Sequence, residues 1–256
     1  MNWPPERIVC LTEETTETLY RLGQQHRIVG ISGYTVRPPE ARRDKPRISA
    51  FTSADTAKIL ALQPDLVLAF SDMQADILAD LARHGLNIHL FNQRDIAGIL
   101  AMIRLLGAIT GVPERGEALA REMAAGLAPV QAAQRPKVYF EEWDEPMISA
   151  IGWVSELIHI AGGEDVFADR AQGKAARERF VTPDEVIARA PDIVIASWCG
   201  KKFQPARFAA RPGFDNLPAV RNKRLHEVKS PLILQPGPAS LTDGLAALKR
   251  IISAGC

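Results

Sequence analysis

An α/β fold of two similar lobes, each a Rossmann-like parallel sheet and the pair joined by a long connecting helix, is what this sequence predicts. Three observations carry the prediction. Pro64-Asp65-Leu66-Val67-Leu68-Ala69 returns as Pro191-Asp192-Ile193-Val194-Ile195-Ala196, 127 positions later and about half of the 256-residue chain. Ile59-Leu60-Ala61 and Val186-Ile187-Ala188 stand ahead of the two copies, so each copy reads as a short helix, a Pro-Asp turn and a buried apolar strand. Apolar runs also alternate with helical patterns in both halves, as parallel sheets with crossover helices require. Between roughly residues 95 and 134 the strand signal stops and helical periodicity alone persists. The distance between the copies far exceeds the period of repeat arrays, so the pattern is a duplicated domain. The expected organisation is an N-terminal lobe over residues 1–94, a helical connector over 95–134 and a C-terminal lobe over 135–256.

Taken in order, Arg7-Ile8-Val9-Cys10-Leu11 reads as a buried strand. Thr12 or Thr15 caps the helix that follows at residues 17–22 and ends at Gly23. Arg27-Ile28-Val29-Gly30-Ile31 is the next strand, and residues 33–39 form a loop at its C-terminal end. Strand, helix and strand at this spacing imply parallel pairing with a right-handed crossover. Helices at 54–62 and 75–84 and strands at 65–70 and 87–91 complete the first lobe. In the connector, Ile96, Ile99, Leu100, Ile103, Leu106 and Ala108 make one stripe, which Gly111-Val112-Pro113 interrupts. Residues 114–133 then read as a long helix that Pro129 kinks or stops early. The second lobe opens with strand Lys137-Val138-Tyr139-Phe140 and the loop Glu141-Glu142-Trp143-Asp144-Glu145-Pro146. A helix at 154–160 ends at Gly162-Gly163, and Thr182-Pro183-Asp184-Glu185 is an N-cap with Pro at the first helical position. Strands at 192–197 and 224–228, a loop-rich stretch at 208–218 and a closing helix at 240–252 finish the lobe.

Composition excludes several functions. The 31 basic and 30 acidic residues leave a net charge of +1, no case for nucleic acid, which requires clustered Lys and Arg. Arg42-Arg43 and Lys201-Lys202 are isolated pairs and read as solvated surface. No apolar run is long enough to insert in a membrane. Met1-Asn2-Trp3-Pro4-Pro5-Glu6-Arg7 has no basic n-region, apolar h-region or cleavage site. The expectation is a cytoplasmic chain if Met1 is native, or one whose signal has been removed. Cys10, Cys199 and Cys256 are too dispersed for a disulfide framework, and the five histidines show no metal-ligand spacing. Neither a Gly-x-Gly-x-x-Gly fingerprint nor a phosphate loop nor a Gly-x-Ser-x-Gly elbow is present.

In open parallel sheets ligands bind beyond the C-terminal ends of the strands. Tyr34, Phe51, Phe70, Trp143, Trp153 and Trp198 fall there, with Glu142, Asp144 and Cys199. Together the rings suit the lining of a cleft for a large, flat, partly apolar ligand. For any single ring the alternative is that it fills the core under its own loop. Glu142, Asp144 and Cys199 are the groups that would serve a cytoplasmic enzyme or cofactor-handling protein on the same scaffold.

Several segments resemble one family. They are Thr16-Glu17 in the first helix, Val29-Gly30-Ile31-Ser32, Tyr34 before Pro38-Pro39, and Ala61-Leu62-Gln63-Pro64-Asp65-Leu66-Val67. Ala161-Gly162-Gly163-Glu164-Asp165-Val166-Phe167, and Glu142-Trp143-Asp144-Glu145-Pro146 with Gly152-Trp153-Val154-Ser155-Glu156-Leu157, add to these. The pattern is similar to that of the class III, helical-backbone substrate-binding proteins of ABC importers, and within them to the cobalamin-binding ones. The resemblance implies a non-catalytic, monomeric receptor with no intrinsic cofactor, which takes cobalamin or a related metal chelate between its lobes. It also implies an extracytoplasmic location and an ABC permease as partner. The family's cleft aromatics fall on Tyr34, Phe51, Phe70, Trp143 and Trp198. Its transporter-docking acid in the first lobe falls on Ala75, with Asp76 beside it, and Glu156 is the nearest in the second. A haem or siderophore receptor is the other ligand class implied, with Tyr34 as the axial group for haem.

Overall fold

The computed structural model describes residues 3–131 and 133–254. Met1 and Asn2 of the N-terminal stretch, Ala132 of the expected long helix, and Cys256 lie outside the described residues. The chain falls into two compact units, one holding the chain up to Gln93 with Ala97–Ala124, the other Arg94–Ile96 with the chain from Ala125 on.

The first unit contains β1 (Ile8–Cys10), α1 (Glu13–Arg21), β2 (Ile28–Ser32), α2 (Pro39–Asp44), β3 (Arg47–Ser49), α3 (Thr56–Ala61), β4 (Leu66–Phe70), α4 (Ala75–Arg83) and β5 (Ile88–Phe91). Its sheet runs β3-β2-β1-β4-β5, and every neighbouring pair is parallel. Such a sheet is covered on both faces, which is why β1 and β4 are continuous apolar runs, buried throughout. Strand order reverses beside β1, so the switch point lies between β1 and β4. β3 was not expected: Ile48 is its only buried residue, and three residues carry no periodic signal. The Gly33 amide donating to the Ser49 carbonyl at 2.7 Å, and Ile31 to Pro46 at 3.0 Å, hold it in place.

The duplicated Pro-Asp turn has a physical role. The Asp65 carboxylate accepts from the backbone N–H groups of Glu6 (2.7 Å) and Arg7 (3.0 Å), just before β1. In the second unit the Asp192 carboxylate accepts from Lys137 N–H at 2.8 Å, at the start of the neighbouring strand. Each aspartate therefore pins two adjacent parallel strands at their N-terminal ends. The repeat encodes strand register.

In place of one long connecting helix the chain forms α5 (Ile96–Ile109) and α6 (Pro113–Ala125). They pack closely because a Cβ on Gly107 would lie 2.7 Å from the Gly116 Cα. α6 stops at Ala125, since Gly126 and then Pro129 follow. Among the described residues no helix is long and apolar enough to cross a membrane.

The second unit contains β6 (Lys137–Asp144), β7 (Met147–Ser149), α7 (Gly152–Ile160), β8 (Glu164–Asp165), α8 (Pro183–Arg189), β9 (Ile193–Ala196), α9 (Pro205–Ala209), α10 (Pro218–Arg221), β10 (Leu225–Glu227), α11 (Ser230–Ile233) and α12 (Leu245–Ser253). Strand order is β10-β9-β6-β7, with β8 beside the start of β6. The pairs β6–β9, β9–β10 and β6–β8 are parallel. β7, however, pairs with β6 antiparallel. The loop expected at residues 141–146 is therefore mostly strand: β6 continues through Asp144 and turns at Glu145-Pro146 into β7. Expected elements also appear intact. Thr182 and Glu185 form a reciprocal capping box around Pro183, and Gly162 ends α7 with a left-handed φ of +92°. The core of this unit is aromatic, with Tyr139, Phe167, Phe208 and Phe214 fully buried.

Candidate functional site

The C-terminal edge of the first sheet gathers the loops after β1, β2, β3 and β4. Tyr34, two residues past β2, is 51% exposed, and its amide donates to Ser32 Oγ at 3.2 Å. Phe51 follows β3 and is half-buried, and Phe70 ends β4 and is buried. One residue ties these two loops together. The Gln74 side chain, fully buried, donates through Nε2 to the Phe51 carbonyl (2.9 Å) and accepts at Oε1 from Phe70 N–H (3.1 Å). Between Phe70 and Gln74, Ser71 takes a positive φ of +72° with ψ 155°, a conformation that costs roughly 1–3 kcal/mol for a residue with a side chain. Its hydroxyl accepts from Met73 N–H at 3.2 Å, fixing the turn.

Beyond β1, the first turn of α1 buries two acids. The Thr12 hydroxyl donates to Glu14 Oε1, while Oε2 is buried without a hydrogen bond. Burial pushes the Glu13 carboxyl up to about 7 and the Glu14 carboxyl up to about 8, where Glu13 adds a like charge.

At the C-terminal edge of the second sheet, every acid of β6 has a basic partner brought from elsewhere. Glu141 is wholly buried and takes a two-pronged ion pair from Arg211 (Nη1 to Oε2 2.5 Å, Nη2 to Oε1 3.0 Å). It also accepts from Tyr139 Oη and Trp198 Nε1, each at 3.1 Å. Burial pushes the Glu141 carboxyl up, and the Arg211 pair opposes that shift. Glu142 pairs with Arg179, itself buried and also donating to the Ser149 carbonyl at 2.7 Å. Asp144 pairs with Lys201, whose ammonium overrides the upward push of burial and holds the carboxyl below its ordinary value. That ammonium lies 4.0 Å from the centroid of Trp143 and 5.1 Å from that of Trp198.

A family description, periplasmic binding protein, matches residues 8–232. The chain belongs to the periplasmic binding protein family. It is 27% identical over 256 aligned residues to the vitamin B12-binding protein of Vibrio parahaemolyticus, covering 94% of this chain and 87% of that relative. The vitamin B12-binding protein of Vibrio campbellii is 29% identical over 203 residues, 77% of this chain and 72% of the relative. Among solved structures, the periplasmic heme-binding protein RhuT from Roseiflexus sp. RS-1 superposes with a TM-score of 0.81 at 25% identity, covering 96% of this chain and 99% of that one. The periplasmic vitamin B12 binding protein BtuF of Vibrio cholerae has a TM-score of 0.74 at 23% identity, covering 98% and 97%. That last likeness is one of fold. The expected kinship with helical-backbone substrate-binding proteins holds.

In this periplasmic binding protein the residues expected to line a cleft divide into three groups. Tyr34 and Phe51 stand on one sheet edge, and Phe70, at the end of β4 on the same edge, is buried beneath them at 6% exposure. Trp143 is half-buried on the edge of the other sheet, but Lys201 covers its ring, so of the pair Lys201-Lys202 only Lys202 is simple exposed surface. Trp153 and Trp198 are interior residues, 2% and 3% exposed, and both are corrections to a cleft-lining role. The Trp153 indole N–H donates to the Ile233 carbonyl at 2.9 Å, and Trp198 packs edge-on against Phe203 while donating to Glu141. Each ring needed a core and a buried acceptor more than a solvent face.

Of the expected docking acids, Asp76 is exposed in the first turn of α4. Glu156 is half-buried and accepts from Ile96 N–H at 2.8 Å, so its carboxylate is occupied in the fold. Gln74, Arg179 and Arg211 were missed. Three acids within four positions of an otherwise apolar strand were the available signal, since buried acids require buried bases. An open concavity of about 1110 Å³ lies at the opposite, N-terminal edge of the second sheet, beside Arg135, Asp192, Arg224 and His226. Arg135 and Arg224 there already donate to backbone carbonyls, so it is not the site we favour.

Proposed function

We propose that this chain is the non-catalytic substrate-binding component of an ABC importer and that it takes cobalamin or a related corrinoid metal chelate. The observation that carries the reading is the aromatic edge of the first sheet, with Tyr34 exposed and Phe51 half-buried above the buried Phe70, on loops tied together by Gln74. Relatives named vitamin B12-binding proteins across nearly the whole chain support the choice of ligand. The mechanism is burial of a broad apolar ligand face. At ~25 cal/mol per Å², roughly 300 Å² of apolar area contributes ~7 kcal/mol before ordering costs. Glu142 and Asp144 are engaged in ion pairs, which suits a binding role better than acid–base chemistry. Asp76 serves as the docking acid for a permease in this reading, and the receptor works as an extracytoplasmic monomer.

A haem receptor is the second reading, favoured by one feature. Tyr34 presents an exposed phenol, a side chain that haem iron accepts as an axial ligand. The test is to mix the purified protein separately with cyanocobalamin, dicyanocobinamide, haemin and a ferric hydroxamate siderophore, then pass each through gel filtration. Co-elution of a corrinoid absorbance band at one equivalent is expected. Retention of haemin alone moves the assignment to the second reading, and retention of none of the four rejects the receptor function.

A further inference from the structure

We propose that Lys201 gates the ligand face of the second unit and selects for a chelate whose rim carries a carboxylate. The inference rests on the function proposed above and specifies its ligand further. Trp143 is a half-buried aromatic of this edge, and its indole N–H is tied to the Glu145 carbonyl at 2.9 Å, which fixes the ring. The Lys201 ammonium, 4.0 Å from the ring centroid, occupies one face. A flat ligand that stacks on this face must displace the ammonium.

Displacement has an electrostatic consequence. Lys201 is the close counter-ion of Asp144, whose side chain is 2% exposed, and the other cation near that carboxylate is Arg207 at 3.7 Å. Moving the ammonium off the rings therefore also pulls it from a buried carboxylate, which a neutral ligand does nothing to offset. A carboxylate on the ligand rim accepts the ammonium as it leaves, and Arg207, 3.7 Å from Asp144, is the cation left to pair that acid. The remaining charges of the edge do not compete. Glu141 and Glu142 are matched internally by Arg211 and Arg179, Lys202 and Arg207 are exposed and add positive charge, and Glu145 is an exposed acid 3.8 Å from Arg207.

The test uses two corrinoids with the same ring and metal, dicyanocobyrinic acid with rim carboxylates and dicyanocobinamide with rim carboxamides. Calorimetry on the native chain is expected to show at least tenfold tighter binding of the acid. In K201M the two affinities are expected to converge within about threefold, the acid binding more weakly and the amide more tightly. Because K201M leaves Asp144 without its close counter-ion, the double variant D144N/K201M repeats the measurement with that charge removed, and the same convergence is expected. A native chain that binds both corrinoids equally, or variants that keep the preference for the acid, overturns the gate while leaving the receptor function standing. A native chain that binds neither corrinoid overturns both.

Discussion

Gln74 illustrates how the loops of the proposed ligand edge depend on a side chain that no solvent reaches. Its amide bridges the Phe51 carbonyl and the Phe70 amide, two loops 19 residues apart in the chain, and supplies both the donor and the acceptor. Leucine has a similar volume but neither group. Q74L is expected to cost about 2–3 kcal/mol, because a buried and a half-buried backbone group lose the side-chain amide that bridges them. Urea denaturation would measure that loss. Corrinoid affinity is expected to fall at least fivefold in the same variant, since Phe51 and Phe70 lose their common anchor. A Q74L protein as stable as the native one would show that water replaces the amide. Nothing in Met73-Gln74-Ala75 marks this role in the sequence, because the two partners of the side chain are backbone atoms in other elements.

At the scale of elements, the aspartate in front of β4 and of β9 is the device that the duplicated sequence retains. Asp65 holds two backbone amides ahead of β1, and Asp192 holds one at the start of β6. D65A is expected to lose about 1–3 kcal/mol and D192A about 1 kcal/mol, read from urea midpoints at unchanged slope. No loss in either variant would mean that the strands keep their register through side-chain packing alone. The β6–β7 hairpin is the opposite case. Its acids look like a solvated loop when read along the chain, yet Arg211, Arg179 and Lys201 neutralise them from 37 to 70 positions away.

Across the whole molecule, the shifted carboxyl groups set a pH dependence of stability with two sides. Glu13 and Glu14 ionise near 4.5 when unfolded but near 7 and 8 when folded, because burial disfavours the charge. The folded chain then holds more protons over that range, so their contribution is full below about pH 4.5 and is lost as pH rises through 7 to 8. Asp144, held low by Lys201 against the effect of burial, and Asp169, held low by Arg189, act in the other direction. Their contribution is present above the ordinary carboxylate range and is lost as pH falls below it. The melting temperature of the ligand-free protein is expected to peak in mildly acidic buffer and to decline toward pH 8. In E14Q that alkaline decline is expected to shrink. An unchanged decline would show that Glu14 is solvated in the native state.

Sequence alone determined the duplicated α/β plan and the strands and helices that carry strong apolar periodicity. Those features follow from local pattern, since a parallel strand buried on both faces must be apolar whatever surrounds it. Tertiary structure alone decided which tryptophans face inward, where the acids of β6 find their bases, and that Lys201 lies over Trp143. These depend on partners far apart in the chain, and a charge or an indole N–H is buried or exposed according to whether such a partner arrives.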